Sequence, residues 1–133
     1  MAAIFLDSNP VMYLVGAAHP LKERTSELLR DLSTEDAVLI TSAEVFQELL
    51  HRYHSIRRYA AFSQAWSTLE EMVDEVLPVT LSDVRTAGDL VLEQPTRGAR
   101  DSLHVAVAIH HGIRRILTFD QGFEDYPMIE VVR

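Results

Sequence analysis

Four carboxylates in this chain stand where an apolar run gives way to a polar stretch: Asp7, Glu48, Asp101 and Asp120. Asp7 ends the run Ala3-Ile4-Phe5-Leu6, and Asp120 follows Ile116-Leu117-Thr118-Phe119. Glu48 lies early in the helical stretch behind Val38-Leu39-Ile40-Thr41, and Asp101 opens the stretch from Asp101 to His111. In an open parallel sheet, ligands bind outside the carboxyl ends of the strands. Acids converging there repel one another unless a cation or shared protons compensate. Hard divalent cations take oxygen ligands, and Mg²⁺ commonly combines one or two carboxylates with waters and substrate phosphates. The chemistry implied is metal-dependent action on phosphate esters.

Other polar groups cluster around these positions in the chain. Glu44 precedes Glu48 by four residues and shares its helical face; it is the competing acid, or a group that supports the site. Ser8 and Thr118 carry hydroxyls beside the expected site, suited to a metal-bound water or a phosphate and equally to capping. His104 falls one helical turn after Asp101, where it could approach the site; on so apolar a helix the favoured reading is a hydrogen-bonded packing residue. Asp125 reads as a solvated loop acid, and His110-His111 as a helix end, where His is favourable. Arg97 and Arg100 flank Asp101 and are candidates to meet substrate phosphate. Arg52 belongs to the mixed basic and aromatic stretch His51-Arg52-Tyr53-His54, continued by Arg57-Arg58-Tyr59, which can track an RNA backbone and stack bases.

The elements needed to place these groups are legible. A strand over Ala3 to Leu6 is followed by a short helix capped by Ser8 or Asn9, with Pro10 in its first turn and Gly16 at its end. A helix from Pro20 carries the stripe Leu21, Leu28, Leu29, Leu32. A second strand, Ala37 to Thr41, leads into a helix with a capping arrangement from Thr41 to Glu44. A helix over Ala60 to Val73 precedes a third strand, Glu75 to Val79, where Pro78 implies a strand end or a sheet edge. Ser82 begins the next helix, and Ala99 to His111 forms a heavily apolar one that Gly112 ends. Strands over Arg115 to Thr118 and Met128 to Val132 complete the pattern. Strands alternating with helices imply a parallel sheet covered on both faces. The expected fold class is therefore α/β, one α/β/α domain over residues 1–133 with a central parallel sheet flanked by helices.

Composition narrows the class further. The chain has 133 residues, 47% hydrophobic and 24% charged, enough for one domain with a core. A formal net charge of −8 argues against a protein that coats nucleic acid through Lys and Arg, yet an ion can bridge an acidic pocket to phosphate. The absence of cysteine excludes disulfides, thiol catalysis and thiolate metal sites. No apolar run is long enough to span a bilayer, and the amino terminus lacks the basic and apolar segments of a secretory signal. The expectation is a cytoplasmic protein with no membrane partner.

Taken in order, four segments resemble the acidic motifs of PIN domains. They are Ile4-Phe5-Leu6-Asp7-Ser8-Asn9, Thr41-Ser42-Ala43-Glu44-Val45-Phe46-Gln47-Glu48-Leu49-Leu50, Ala99-Arg100-Asp101-Ser102-Leu103-His104-Val105-Ala106-Val107-Ala108 and Ile116-Leu117-Thr118-Phe119-Asp120-Gln121-Gly122-Phe123. They span nearly the whole chain. The second acid of the family is typically followed by Leu, which favours Glu48 over Glu44. The small size resembles that of the toxin nucleases of VapBC toxin–antitoxin pairs. This resemblance implies an RNA endonuclease using Mg²⁺ or Mn²⁺ held by Asp7, Glu48, Asp101 and Asp120. It also implies a homodimer and a cognate VapB-like antitoxin that occupies the acidic groove. The alternatives are a PIN-fold protein that binds RNA or a partner without cutting it, and a housekeeping nuclease. A phosphotransfer receiver is disfavoured because Lys22, the one Lys, comes too early; an aspartyl phosphatase is disfavoured because Asn9 replaces its second Asp.

Overall fold

Three residues that are wholly shielded from solvent, Ile4, Phe5 and Leu6, explain the architecture. A strand apolar on both faces belongs in the middle of a sheet that helices cover on each side. The computed structural model describes residues 2–133 and places β1 (Ala3–Leu6) at the centre of a five-stranded sheet. The strand order is β3-β2-β1-β4-β5, and every neighbouring pair is parallel. The other strands are β2 (Val38–Ser42), β3 (Glu75–Leu77), β4 (Arg115–Leu117) and β5 (Glu130–Val132).

Parallel neighbours require crossovers, and helices supply most of them. Between β1 and β2 run α1 (Ser8–Val15) and α2 (Pro20–Thr34); between β2 and β3 run α3 (Ala43–Ser55) and α4 (Tyr59–Met72). The link from β3 to β4 carries α5 (Leu81–Glu93) and α6 (Ala99–His110), which pack against each other. The chain thus builds outward from β1 to one edge, then returns to β1's other side. The place where the order reverses lies between β1 and β4, and crevices open at the carboxyl ends of such strands. A 3₁₀ turn, Gln121–Asp125, leads from β4 toward β5.

Several boundaries differ from the sequence reading for local reasons. Asp7 itself caps α1 by accepting the Ser8 N–H, so neither Ser8 nor Asn9 is the cap. Thr41 does not cap α3; its hydroxyl donates to the Leu6 carbonyl on β1 at 2.8 Å, and Ser42 takes the cap position with no side-chain bond. α5 starts at Leu81, one residue before the expected Ser82, and Thr80 caps it through a reciprocal box with Asp83. Pro78 lies just beyond β3, which is an edge strand. Gly112 follows α6 with φ +72°, a conformation that L side chains rarely adopt. Among the described residues, no helix is long and apolar enough to cross a membrane.

Candidate metal centre

The crevice at the ends of β1 and β4 begins with Asp7. Its backbone N–H extends the β1–β4 ladder to the Leu117 carbonyl at 3.1 Å, which delivers the side chain to the sheet's rim. One carboxylate oxygen accepts the Ser8 N–H at 2.7 Å and the other accepts the Thr118 hydroxyl at 2.8 Å. Thr118 Oγ1 in turn accepts from Asn9 Nδ2 at 3.2 Å and from the Asp120 N–H at 3.1 Å. Asn9 Oδ1 accepts the Phe119 N–H at 3.1 Å. These bonds tie the turn after β1 to the turn after β4, so Asp7 and Asp120 share one rigid frame. Ser8 contributes its backbone N–H to this frame.

The second wall comes from two helices. Glu48 projects from the second turn of α3, and its Oε1 lies 2.7 Å from His104 Nε2 on α6. An ionised carboxylate only accepts, so the imidazole carries hydrogen on Nε2. The same nitrogen lies 3.7 Å from Asp7 Oδ1. Ligand atoms of Asp7, Glu48 and His104 all lie within 4.8 Å of one another. Glu44, one turn earlier on α3, is half-buried and outside this group, so the geometry selects Glu48 of the two acids. His104 is completely buried and its Nδ1 has no partner. It is buried and hydrogen-bonded, as the apolar helix suggested, and it stands inside the acidic cluster. Its position one turn after Asp101 on the same helix was the available signal.

Asp101 and Asp120 form the third wall. Asp101 sits in the first turn of α6, and Asp120 caps the 121–125 turn by accepting the Gly122 N–H at 2.9 Å. Gly122 runs between them: a Cβ there would lie 2.9 Å from Asp101 Oδ2 and 3.2 Å from Asp120 Oδ1. A methyl group there would force one or both carboxylates to shift.

Electrostatics record the crowding. Burial, followed by the charges of Asp120 and Asp7, pushes the Asp101 carboxyl up to about 7. Burial also raises Asp7, aided by Glu48 and opposed by His104 and the bonds from Thr118 and Ser8. Burial alone would lower His104, but its bond to Glu48 and the charges of Asp7, Glu48 and Asp101 hold it above its usual range. Among the described residues, His104 is the one cationic group in ion-pair range of these carboxylates. A carboxyl whose ionisation is held back by burial and by neighbouring acids, in a cluster of oxygen donors, fits a hard divalent cation well. Asp7, Glu48 and His104 stand close enough to surround an ion, and because the His104 Nε2 carries hydrogen the carboxylates of Asp7 and Glu48 are its donors, with Asp101 and Asp120 at the margin.

The arginines fall elsewhere. Arg97 does not face the crevice: it is buried, and its guanidinium donates to the carbonyls of Asp125 and Leu90. The expectation that it meets substrate phosphate is overturned, because those donors are committed to the backbone. Arg100 is exposed and borders a groove between α5 and α6. Arg52 is exposed on α3, one turn beyond Glu48. Asp125 is exposed, and its backbone carbonyl rather than its carboxylate makes the contact with Arg97.

The chain matches the PIN domain over residues 4–128. It is 46% identical over 127 residues to ribonuclease VapC13 of Mycobacterium tuberculosis, covering 96% of this chain and 97% of that protein. Ribonuclease VapC23 of the same organism is 41% identical over 117 residues, covering 88% and 92%. Among solved structures, Mycobacterium tuberculosis VapC20, described as a sarcin-ricin loop cleaving toxin, aligns with TM-score 0.75 at 23% identity over 96% of this chain and 98% of that one. The Rickettsia felis VapBC2 structure aligns with TM-score 0.77 at 16% identity over 98% and 97%. Those two likenesses speak for the fold. The match across nearly the whole chain, together with the identity to the two mycobacterial ribonucleases, establishes that this protein belongs to the PIN-domain family and, within it, to the VapC ribonucleases.

Proposed function

We propose that this protein is a metal-dependent endoribonuclease that hydrolyses RNA phosphodiester bonds as the toxin of a type II toxin–antitoxin pair. The single observation that carries the catalytic part is the grouping of Asp7 and Glu48 with one buried histidine at the sheet's switch point, with Asp101 close enough to feel the charge of all three and of Asp120. The identity to named VapC ribonucleases carries the substrate class and the toxin role. Mg²⁺ is the ion we assign, with Mn²⁺ as substitute, because carboxylate oxygens dominate the donor set. Asp7, Glu48, Asp101 and Asp120 hold it. When bound, such an ion supplies an activated water and neutralises charge on the phosphate.

The chain's own residues set up that chemistry. Thr118 and Ser8 fix both oxygens of Asp7, so this carboxylate pays little ordering entropy when it takes a cation. His104 orients Glu48 and offsets part of the negative charge until a cation does so. Asp101, whose carboxyl is pushed up to about 7, releases its proton as the cluster fills, which couples occupancy to pH. Arg52 and Arg100, both exposed, are the candidates to meet RNA phosphates. A VapB-like antitoxin, a homodimeric assembly and action in the cytoplasm complete the reading; the solved VapBC complexes of this fold motivate the first.

The test is end-mapping of total cellular RNA incubated with purified protein in Mg²⁺, in EDTA, and with D7N in Mg²⁺. Discrete new ends in the first arm alone support the proposal. A folded, metal-binding protein that cuts nothing, and that retains one RNA in cells, supports the non-cleaving alternative instead.

A further inference from the structure

The buried guanidinium of Arg97 has a task that catalysis by the acidic cluster does not explain. Arginine is almost never this buried without partners to match its donors. Here Nε and Nη2 both reach the Asp125 carbonyl, at 3.2 and 2.8 Å, while Nη1 reaches the Leu90 carbonyl at 3.0 Å and Glu93 Oε1 at 3.4 Å. The guanidinium carbon also lies 4.7 Å from the centre of the Tyr126 ring, in cation–π range. One side chain therefore grips the last turn of α5 and the far end of the 121–125 turn. Tyr126 continues the link: its hydroxyl is 2.6 Å from Ser102 Oγ, and Ser102 follows Asp101 on α6. Tyr126 and Ser102 are both buried.

We infer that Arg97 is a positioning residue that clamps the 121–125 turn onto the start of α6 and thereby sets the separation of Asp101 and Asp120. The steric case is direct. Gly122, inside the clamped turn, donates its N–H to Asp120 and leaves room for no more than a hydrogen toward Asp101, where a Cβ would come within 2.9 Å of Oδ2, so movement of the turn relative to α6 changes the spacing of the two acids. Arg97 stands four residues before Asp101, and Asp125 five residues after Asp120, so the clamp closes around the pair. Arg suits the position better than Lys because its planar fork reaches two carbonyls at once while its face stacks on the ring. The inference rests on the reading of Asp101 and Asp120 as ion-holding groups.

Mn²⁺ affinity, followed by electron paramagnetic resonance, separates positioning from simple charge. Wild type, R97K, R97M and Y126F are compared, with folding checked by near-ultraviolet circular dichroism. Positioning predicts that R97M weakens Mn²⁺ binding on the order of tenfold or more, the scale seen when groups that orient metal ligands are lost. It predicts weaker binding in R97K although the charge is kept, and a smaller loss in Y126F. Raising Mn²⁺ should restore kcat of R97K toward wild type with KM for RNA unchanged. A role as a nearby cation predicts the opposite sign, tighter Mn²⁺ in R97M and wild-type affinity in R97K, and either result overturns the inference. A raised KM at saturating Mn²⁺ overturns it in favour of phosphate contact. Where R97M fails to fold, R97K and Y126F carry the decision. Failure of the wild type to bind Mn²⁺ overturns the functional reading itself, whereas unchanged variants beside a binding wild type overturn only the clamp.

Discussion

Metal affinity should depend on pH in a range where ordinary carboxylates do not titrate. Asp101 is the reason: burial and the charges of Asp120 and Asp7 push its carboxyl up to about 7, against a usual 3.8. A cation needs the ionised form, so binding expels a proton wherever Asp101 is still protonated. For a group titrating at 7, the ionised fraction rises about tenfold between pH 6 and pH 8, so apparent affinity should rise by about tenfold as well. A carboxyl at 3.8 would give no change over that range. The assay is calorimetric titration with Mg²⁺ or Mn²⁺ at several pH values, in buffers of differing ionisation enthalpy, which counts the protons released. His104, held above its usual range, adds to the slope toward higher pH. D101N separates the two, and its residual slope belongs to the histidine. D120N removes the largest neighbouring charge on Asp101 and should move the transition to lower pH. A wild-type affinity that is flat from pH 6 to 8, with no proton release, would refute the electrostatic account of the cluster.

Four further outcomes follow from the same geometry. Asp7 has a raised folded value, so the fold favours its neutral form: that stability is fully present below the usual 3.8 and is lost as pH rises through the higher folded value; D7N without metal at neutral pH should therefore match or exceed the wild-type urea midpoint, while its cleavage in Mg²⁺ is lost. G122A places a methyl group 2.9 Å from Asp101 Oδ2 and should weaken Mn²⁺ binding on the order of tenfold with the fold intact, as read by circular dichroism and titration. T80A removes the cap of α5 and should cost about 1 kcal/mol in denaturant unfolding. Burial alone would raise Asp83, but its bonds to the Thr80 N–H, to His110 and to the Thr80 hydroxyl hold it below the usual range. The stability it contributes is thus present above 3.8 and lost as pH falls through its lower folded value, a loss that acid titration of the unfolding midpoint should detect.

What the sequence revealed divides along the line between local and non-local information. The run Ile4-Phe5-Leu6 followed by Asp7 was legible because a central parallel strand is apolar on both faces and must end in something polar at the rim. The alternation of strands and helices was legible for the same reason, and the five-stranded parallel sheet follows from it. That His104 joins the acids was the less favoured reading because its partner Glu48 lies 56 residues away, and an apolar helix gives no sign of which face meets α3. Arg97 was misread because nearness to Asp101 in sequence does not fix direction: the turn between α5 and α6 aims its side chain inward, at carbonyls far along the chain. The caps at Asp7 and Thr80 escaped because several hydroxyl and carboxyl side chains compete at each helix start, and cross-strand bonds such as Thr41 to Leu6 decide the winner. The place of Asp120 just past a strand was legible, but its closeness to Asp101 comes only from packing.

The most direct test of the account is to measure RNA cleavage and Mn²⁺ occupancy in the same samples while Mn²⁺ is titrated, using wild type, D7N and E48Q. The account predicts that the wild-type rate rises in step with occupancy, and that both variants lose bound ion and cleavage together while remaining folded. Cleavage that persists in EDTA, or in D7N, would contradict the claim that these carboxylates hold the ion on which hydrolysis depends.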